Sequence, residues 1–180
     1  MQCPKREDVL SQSLKELAER VMKLAEARGL TLGTVESCTA GALVHLLAEA
    51  PGASETLHGG FVVYTKANKI AAVGVPETLI AAHTAVSEEV AQAMATGGLA
   101  RCPAGIVVAV TGVAGPDPDE DGNPVGLVYV AGAARDGRLR VVRHEFGRRP
   151  KEDICNAAMR SALDLVSALL TGPLPSSSRP

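Results

Sequence analysis

The run Ile106-Val107-Val108-Ala109-Val110 constrains this chain more than any other stretch. It is continuously apolar and mostly β-branched, so it reads as a strand with no polar side to turn toward water. Such a strand belongs inside a sheet that is covered on both faces. A second largely apolar run, Leu30 to Val35, ends in Glu36-Ser37-Cys38-Thr39-Ala40-Gly41 and gives way to a helical pattern through Leu43, Leu46 and Leu47. This is a buried strand turning sharply into a helix.

The elements between and around these strands complete the pattern. Leu10, Leu14, Leu17, Val21 and Leu24 make one apolar helical stripe, which Gly29 stops. Pro51-Gly52 supplies a turn, and the segment from Gly59 to Thr65 reads as a strand. A short helix is expected from Lys66 to Gly74, a helical turn from Pro76 to Ala82, and a longer helix capped by Ser87 and running to Arg101. Val125 to Ala133 and Leu139 to Phe146 form a hairpin across Asp136-Gly137. Pro150 opens a last helix whose inward face holds Ile154, Ala158, Ala162, Leu165 and Leu169. Strands alternating with helices predict a single-domain, three-layer α/β/α fold with a mixed sheet flanked by helices. The domain is expected over residues 8–171, between flexible termini at 1–7 and 172–180.

Composition excludes several function classes. A net charge of −2 provides no general attraction to nucleic acid, and 2% aromatics leave little for base stacking. No apolar run approaches the roughly 18 residues of a membrane span. The N-terminus is polar and unlike a secretory signal. Cys3, Cys38, Cys102 and Cys155 are scattered without metal-type spacing. A reduced, cytoplasmic protein that meets neither nucleic acid nor membrane is expected.

The chemistry gathers at the end of the first strand. Ser37 or Thr39 there can cap the following helix, and Ser37 or Cys38 can act as a nucleophile beside the free N–H groups of that helix. A serine without a histidine partner needs another base, and Lys66 and Lys69 both follow the second strand closely. The acidic run Asp117-Pro118-Asp119-Glu120-Asp121-Gly122 resembles the start of a calcium loop, but Val128 stands where the closing glutamate belongs. His45, His58, His83 and His144 show no metal spacing, and His45 reads as structural. No metal or organic cofactor is expected, and no dinucleotide or P-loop fingerprint is present.

Six ordered blocks carry a resemblance. They are Glu36 to Gly41, Pro51-Gly52-Ala53-Ser54, Gly60 to Tyr64 with Lys69 five residues on, Ala85 to Val90, Val110 to Pro116, and Pro124-Val125-Gly126. From Ser11 to Leu170 the chain resembles the CinA C-terminal domain family, whose characterised enzymes are nicotinamide-nucleotide amidases. The resemblance implies hydrolysis of the carboxamide of nicotinamide mononucleotide to nicotinate mononucleotide and ammonia, by a serine–lysine pair. It implies Ser37 as the serine, Lys69 as the lysine and Tyr64 beside the substrate. Thr39, Ala40 and Gly41 match the nucleophile turn, and Thr111, Gly112, Ala114 and Gly115 fall in the substrate-cradling segment. Self-association into a homo-oligomer is expected with it.

Two departures stand out. Ala40 replaces the first glycine of the family's ESCTGG-type block. The family's Gly-Asp-Arg segment is here Gly147-Arg148-Arg149-Pro150-Lys151, and an arginine expected one turn into the last helix is missing, with Ile154 and Cys155 in that region. Arg148, Arg149 or Lys151 is left to meet the substrate phosphate. The competing expectation is a catalytically silent binding or interaction module.

Overall fold

The computed structural model describes residues 13–172. The expected flexible termini at 1–7 and 172–180, apart from Gly172, the domain boundary at residue 8 and the stripe position Leu10 lie outside the described residues. In chain order the elements are α1 (Leu14–Ala27), β1 (Leu32–Glu36), α2 (Ala42–Ala48), α3 (Ala53–Thr56), β2 (Leu57–Val62) and α4 (Lys66–Val73). There follow α5 (Glu77–His83), α6 (Glu88–Arg101), β3 (Ile106–Gly112), β4 (Leu127–Ala134), β5 (Leu139–Glu145) and α7 (Lys151–Thr171). The sheet order is β2-β1-β3-β4-β5, with β1 parallel to both of its neighbours and the β3-β4 and β4-β5 pairs antiparallel.

The period of two along β3 divides the interior into two layers. Ile106, Val108 and Val110 enter one core with Leu17 and Val21 of α1 and Ile154 and Ala158 of α7. Val107 and Ala109 enter the other, with Val73 of α4 and Val90 and Met94 of α6. This is the three-layer arrangement that the apolar strand demands. Ser13 and Glu16 form a reciprocal capping box at the start of α1. The helix α7 is long and apolar enough to cross a membrane by length and composition alone. Its apolar side, including Ile154, Ala158, Ala162, Leu165 and Leu169, is buried in the protein core.

Two boundaries depart from expectation. The chain leaves Pro51-Gly52 through a single helical turn, α3, before β2 begins at Leu57. β2 also stops at Val62 rather than Thr65. There the Asn68 side-chain amide donates to the Val62 carbonyl at 2.8 Å, and Thr65 caps α4 by accepting from the Asn68 N–H. A local side-chain network thus replaces strand pairing and turns the chain into α4.

The order β2-β1-β3 fixes where a site can form. The connection leaving β1 runs to one side of it, and the chain then crosses to the other side to make β3. A crevice opens between the carboxyl ends of β1 and β3, where the winding reverses.

Candidate active site

Ser37 stands at the mouth of that crevice because its N–H donates to the Val110 carbonyl at 3.0 Å, extending the β1–β3 ladder by one residue. Lys69 reaches it from α4. Thr65 sets the start of that helix, which places Lys69 one turn in and against the sheet. The Lys69 side chain is only 2% exposed, and its Nζ donates to Ser37 Oγ at 2.9 Å and to the Val63 carbonyl at 3.1 Å. Burial lowers its pKa from 10.5 to about 8; Cys38 opposes the shift and the neighbouring Lys66 adds to it. Lys66 itself points away, to Glu120 and Asp121.

The neighbouring thiol has the opposite character. Burial pushes Cys38 up to about 12, so it stays protonated beside the lysine. Its carbonyl accepts a long contact from the Cys155 thiol at 3.4 Å.

The turn after Ser37 differs from expectation in its capping. Neither Ser37 nor Thr39 caps α2; the N-cap is Gly41, which has no side chain to do so. The cap is Glu36, a fully buried carboxylate that accepts from the N–H groups of Gly41, Leu43 and Val44 at 2.8–3.0 Å and from the Thr34 hydroxyl at 3.0 Å. Nothing in the motif around Ser37 assigns Glu36 this role. The signal was present, since an acid ending an otherwise apolar strand must find donors or remain uncompensated.

This capping also moves the place where an oxyanion can sit. The Gly41 N–H is taken by Glu36 and the Ala40 N–H by the Ser37 carbonyl, so neither is free. Among the described residues the Thr39 N–H has no acceptor, and the buried Thr39 hydroxyl has no partner either. On the other wall, the Val110 carbonyl points to β1. Alternation along a strand therefore aims the Gly112 N–H to the same side, beyond the last residue of β1. A side chain at Gly112 would strike Val128 and the Leu127 carbonyl within 2.8 Å.

A cavity of about 550 Å³ lies over the pair. Ser37, Cys38, Lys69 and Tyr64 line it together with the loop from Thr111 to Gly115, the acidic residues of the 116–124 loop, and Lys151. Its size suits a small-molecule site. The other expected residues are placed as follows. Tyr64 is at the mouth, 60% exposed, with no hydrogen bond to Ser37 or Lys69 among the described residues. The Thr111 hydroxyl donates to the Ala85 carbonyl at 2.9 Å and so braces the wall. Thr39, Ala40 and Gly41 lie off the cavity lining, as do Arg148 and Arg149. Arg148 instead donates to the Pro116 carbonyl at 3.2 Å, because the bend at Gly147 turns it toward the loop. Of the three basic residues expected near a phosphate, Lys151 is the one lining the cavity. His45, read as structural, lies on the surface beside Glu49. No cluster of potential metal ligands occurs among the described residues.

Comparison with known proteins follows the same outline. The family model of the CinA C-terminal domain matches residues 14–170. A CinA-like protein of Frankia casuarinae is 46% identical over 157 residues, covering 87% of this chain and 35% of that protein. A putative competence-damage inducible protein of Symbiobacterium thermophilum is 47% identical over 119 residues, 66% of this chain and 28% of its own length. The chain thus spans about a third of the length of the curated relatives it matches. Among solved structures, the competence/damage inducible protein CihA from Agrobacterium tumefaciens superposes with a TM-score of 0.85 at 36% identity, covering 94% of this chain and 99% of the other. A CinA superfamily protein from Klebsiella pneumoniae gives 0.84 at 34% identity, with 88% and 98% covered.

Proposed function

The chain belongs to the CinA C-terminal domain family, and from that premise we propose that it is an amidohydrolase that converts nicotinamide mononucleotide to nicotinate mononucleotide and ammonia. One observation carries the reading: a buried lysine, with its pKa lowered to about 8, sits 2.9 Å from a serine hydroxyl at the floor of a ligand-sized cavity.

In the neutral state Lys69 takes the hydroxyl proton as Ser37 Oγ attacks the carboxamide carbon. The C=O π pair moves onto oxygen, and the N–H of Gly112, a residue of the cavity wall, flanks the place where that charge develops. Lys69 returns the proton to the departing nitrogen, the C–N bond breaks, and ammonia leaves a Ser37 ester. Water then adds to the ester carbon, giving its proton to Lys69, and as the C–O bond to Ser37 breaks Lys69 passes that proton to Ser37 Oγ, leaving the acid, which ionises to the carboxylate. The carboxylate product leaves with Ser37 and Lys69 restored. Tyr64 covers the pyridine end of the cavity. Lys151, at the start of α7, supplies the cation for the phosphate in place of the missing helix arginine.

Ammonia release and nicotinate mononucleotide formation from the purified protein test this directly. Wild type turns the substrate over and Ser37→Ala does not. A wild-type protein that binds the mononucleotide without hydrolysing it supports the second reading, a silent binding module, which the diversion of Arg148 to Pro116 favours. Lys151→Ala is expected to weaken mononucleotide binding about ten- to a hundred-fold, the range of a charge-assisted phosphate contact, and to leave nicotinamide riboside binding nearly unchanged. Titration of both ligands checks it; equal losses contradict the phosphate role.

A further inference from the structure

The loop joining β3 to β4 is held in place from several sides, and Lys66 is one of its anchors. Asp117, Asp119, Glu120 and Asp121 of this loop form one side of the Ser37–Lys69 cavity. Across from them, Lys66 Nζ contacts Asp121 Oδ1 at 2.7 Å and Glu120 Oε1 at 2.8 Å. The lysine and Asp121 side chains are 34% and 22% exposed, more enclosed than an ordinary surface pair. Both carboxylates raise the Lys66 pKa, so the ammonium persists at neutral and mildly alkaline pH.

The loop is also tied to the turn preceding α6. Asn123 donates through Nδ2 to Thr84 Oγ1 at 3.1 Å, and Asp119 gathers the Asp121 and Asn123 N–H groups. Thr84 has φ of +68°, a region that non-glycine residues occupy only where their surroundings fix them. At the other end, Arg148 holds the Pro116 carbonyl. None of these contacts except the Lys66 pair reaches the helix that carries the base.

We propose that Lys66 is a positioning residue: it latches the 116–124 strap to α4, one turn before Lys69, and so fixes the wall of the cavity against which substrate binds. This rests on the amidase reading for its kinetic consequence and on geometry alone for the latch. Lys66 lines the cavity beside the strap but touches neither Ser37 nor Lys69, so its loss changes how well substrate is held more than how fast it reacts.

The test combines amide hydrogen exchange of peptides covering 116–124, in the full-length free protein, with amidase kinetics at pH 9, where Lys69 is mostly neutral. Lys66→Met and Asp121→Asn are each expected to speed exchange of the strap about two- to five-fold, the range of a partly enclosed ion pair. The double variant should be no faster than the faster single one, and Lys66→Arg should restore slow exchange. KM for nicotinamide mononucleotide should rise by a similar factor in Lys66→Met, with kcat within about two-fold of wild type. Unchanged strap exchange in Lys66→Met overturns the latch, and a loss confined to kcat overturns the positioning role. An inactive wild-type protein contradicts the amidase reading while the exchange data still decide the latch.

Discussion

At the scale of single residues, Lys69 and Cys38 show how one local environment sorts two candidate groups. Both are buried. Burial disfavours the charged form of each, so the lysine moves toward a usable base and the thiol away from a usable nucleophile. Only neutral Lys69 accepts a proton, so kcat/KM is expected to rise with pH and level off above a midpoint near 8. A flat profile between pH 6 and 9 contradicts this. The folded chain also loses that proton at lower pH than the unfolded chain does, so the Lys69 contribution to stability increases from about pH 8 to 10.5. Glu36 gives a second prediction. Glu36→Gln replaces one carboxylate oxygen with a donor facing backbone N–H groups, at a cost of roughly 2–3 kcal/mol. Thermal unfolding should fall by about 4–12 °C, and kcat should fall with it because the Ser37 turn loses its anchor. An unchanged melting temperature contradicts the buried-cap role. Motif position alone singles out Ser37 and Lys69, which the fold brings to hydrogen-bond distance. The work of Glu36 as a cap is not legible in the sequence, because capping a helix five to eight residues ahead is a tertiary arrangement with no local pattern.

At the scale of elements, the Ser37-to-Gly41 turn stores strain that the sequence already advertised. Ala40 takes φ of +52° and Gly41 of +95°, two left-handed residues in succession. The position where the family motif has glycine is thus one where a side chain is unfavourable. Ala40 is exposed and off the cavity, so the methyl burdens the backbone and not the ligand. Ala40→Gly is expected to stabilise the fold by about 0.5–1 kcal/mol, read in denaturant unfolding; a loss of stability contradicts the strain. Strands β3, β4 and β5 and helices α1 and α7 are legible from their apolar patterns, and α6 from the Ser87 cap with Glu88 and Glu89 in its first turn. The end of β2 and the turn α3 are not, because they are decided by Asn68 and by the short connection after Gly52.

At the scale of the molecule, the two cores and the crevice between β1 and β3 follow from the apolar strands. How tightly the layers close depends on glycines that no period reveals. A side chain at Gly97 of α6 would lie 1.9 Å from the Val73 carbonyl, and one at Gly98 would lie 2.5 Å from Val35 Cγ2. These two residues let α6 approach both α4 and β1, and so set the distance from which Lys69 reaches Ser37. Gly97→Ala is expected to cost about 1–3 kcal/mol in unfolding free energy by overpacking, and a neutral effect contradicts that close approach. The central claim is that Ser37 and Lys69 form one catalytic unit. The measurement that tests it most directly is ammonia release from nicotinamide mononucleotide by Ser37→Ala, Lys69→Ala, their double variant and Cys38→Ala, each confirmed to be folded. Lys69→Ala should lose roughly 10²- to 10⁴-fold in kcat, Ser37→Ala at least as much, and the double variant little more than the worse single one, while Cys38→Ala stays active. Activity that survives Ser37→Ala and disappears in Cys38→Ala would contradict the account.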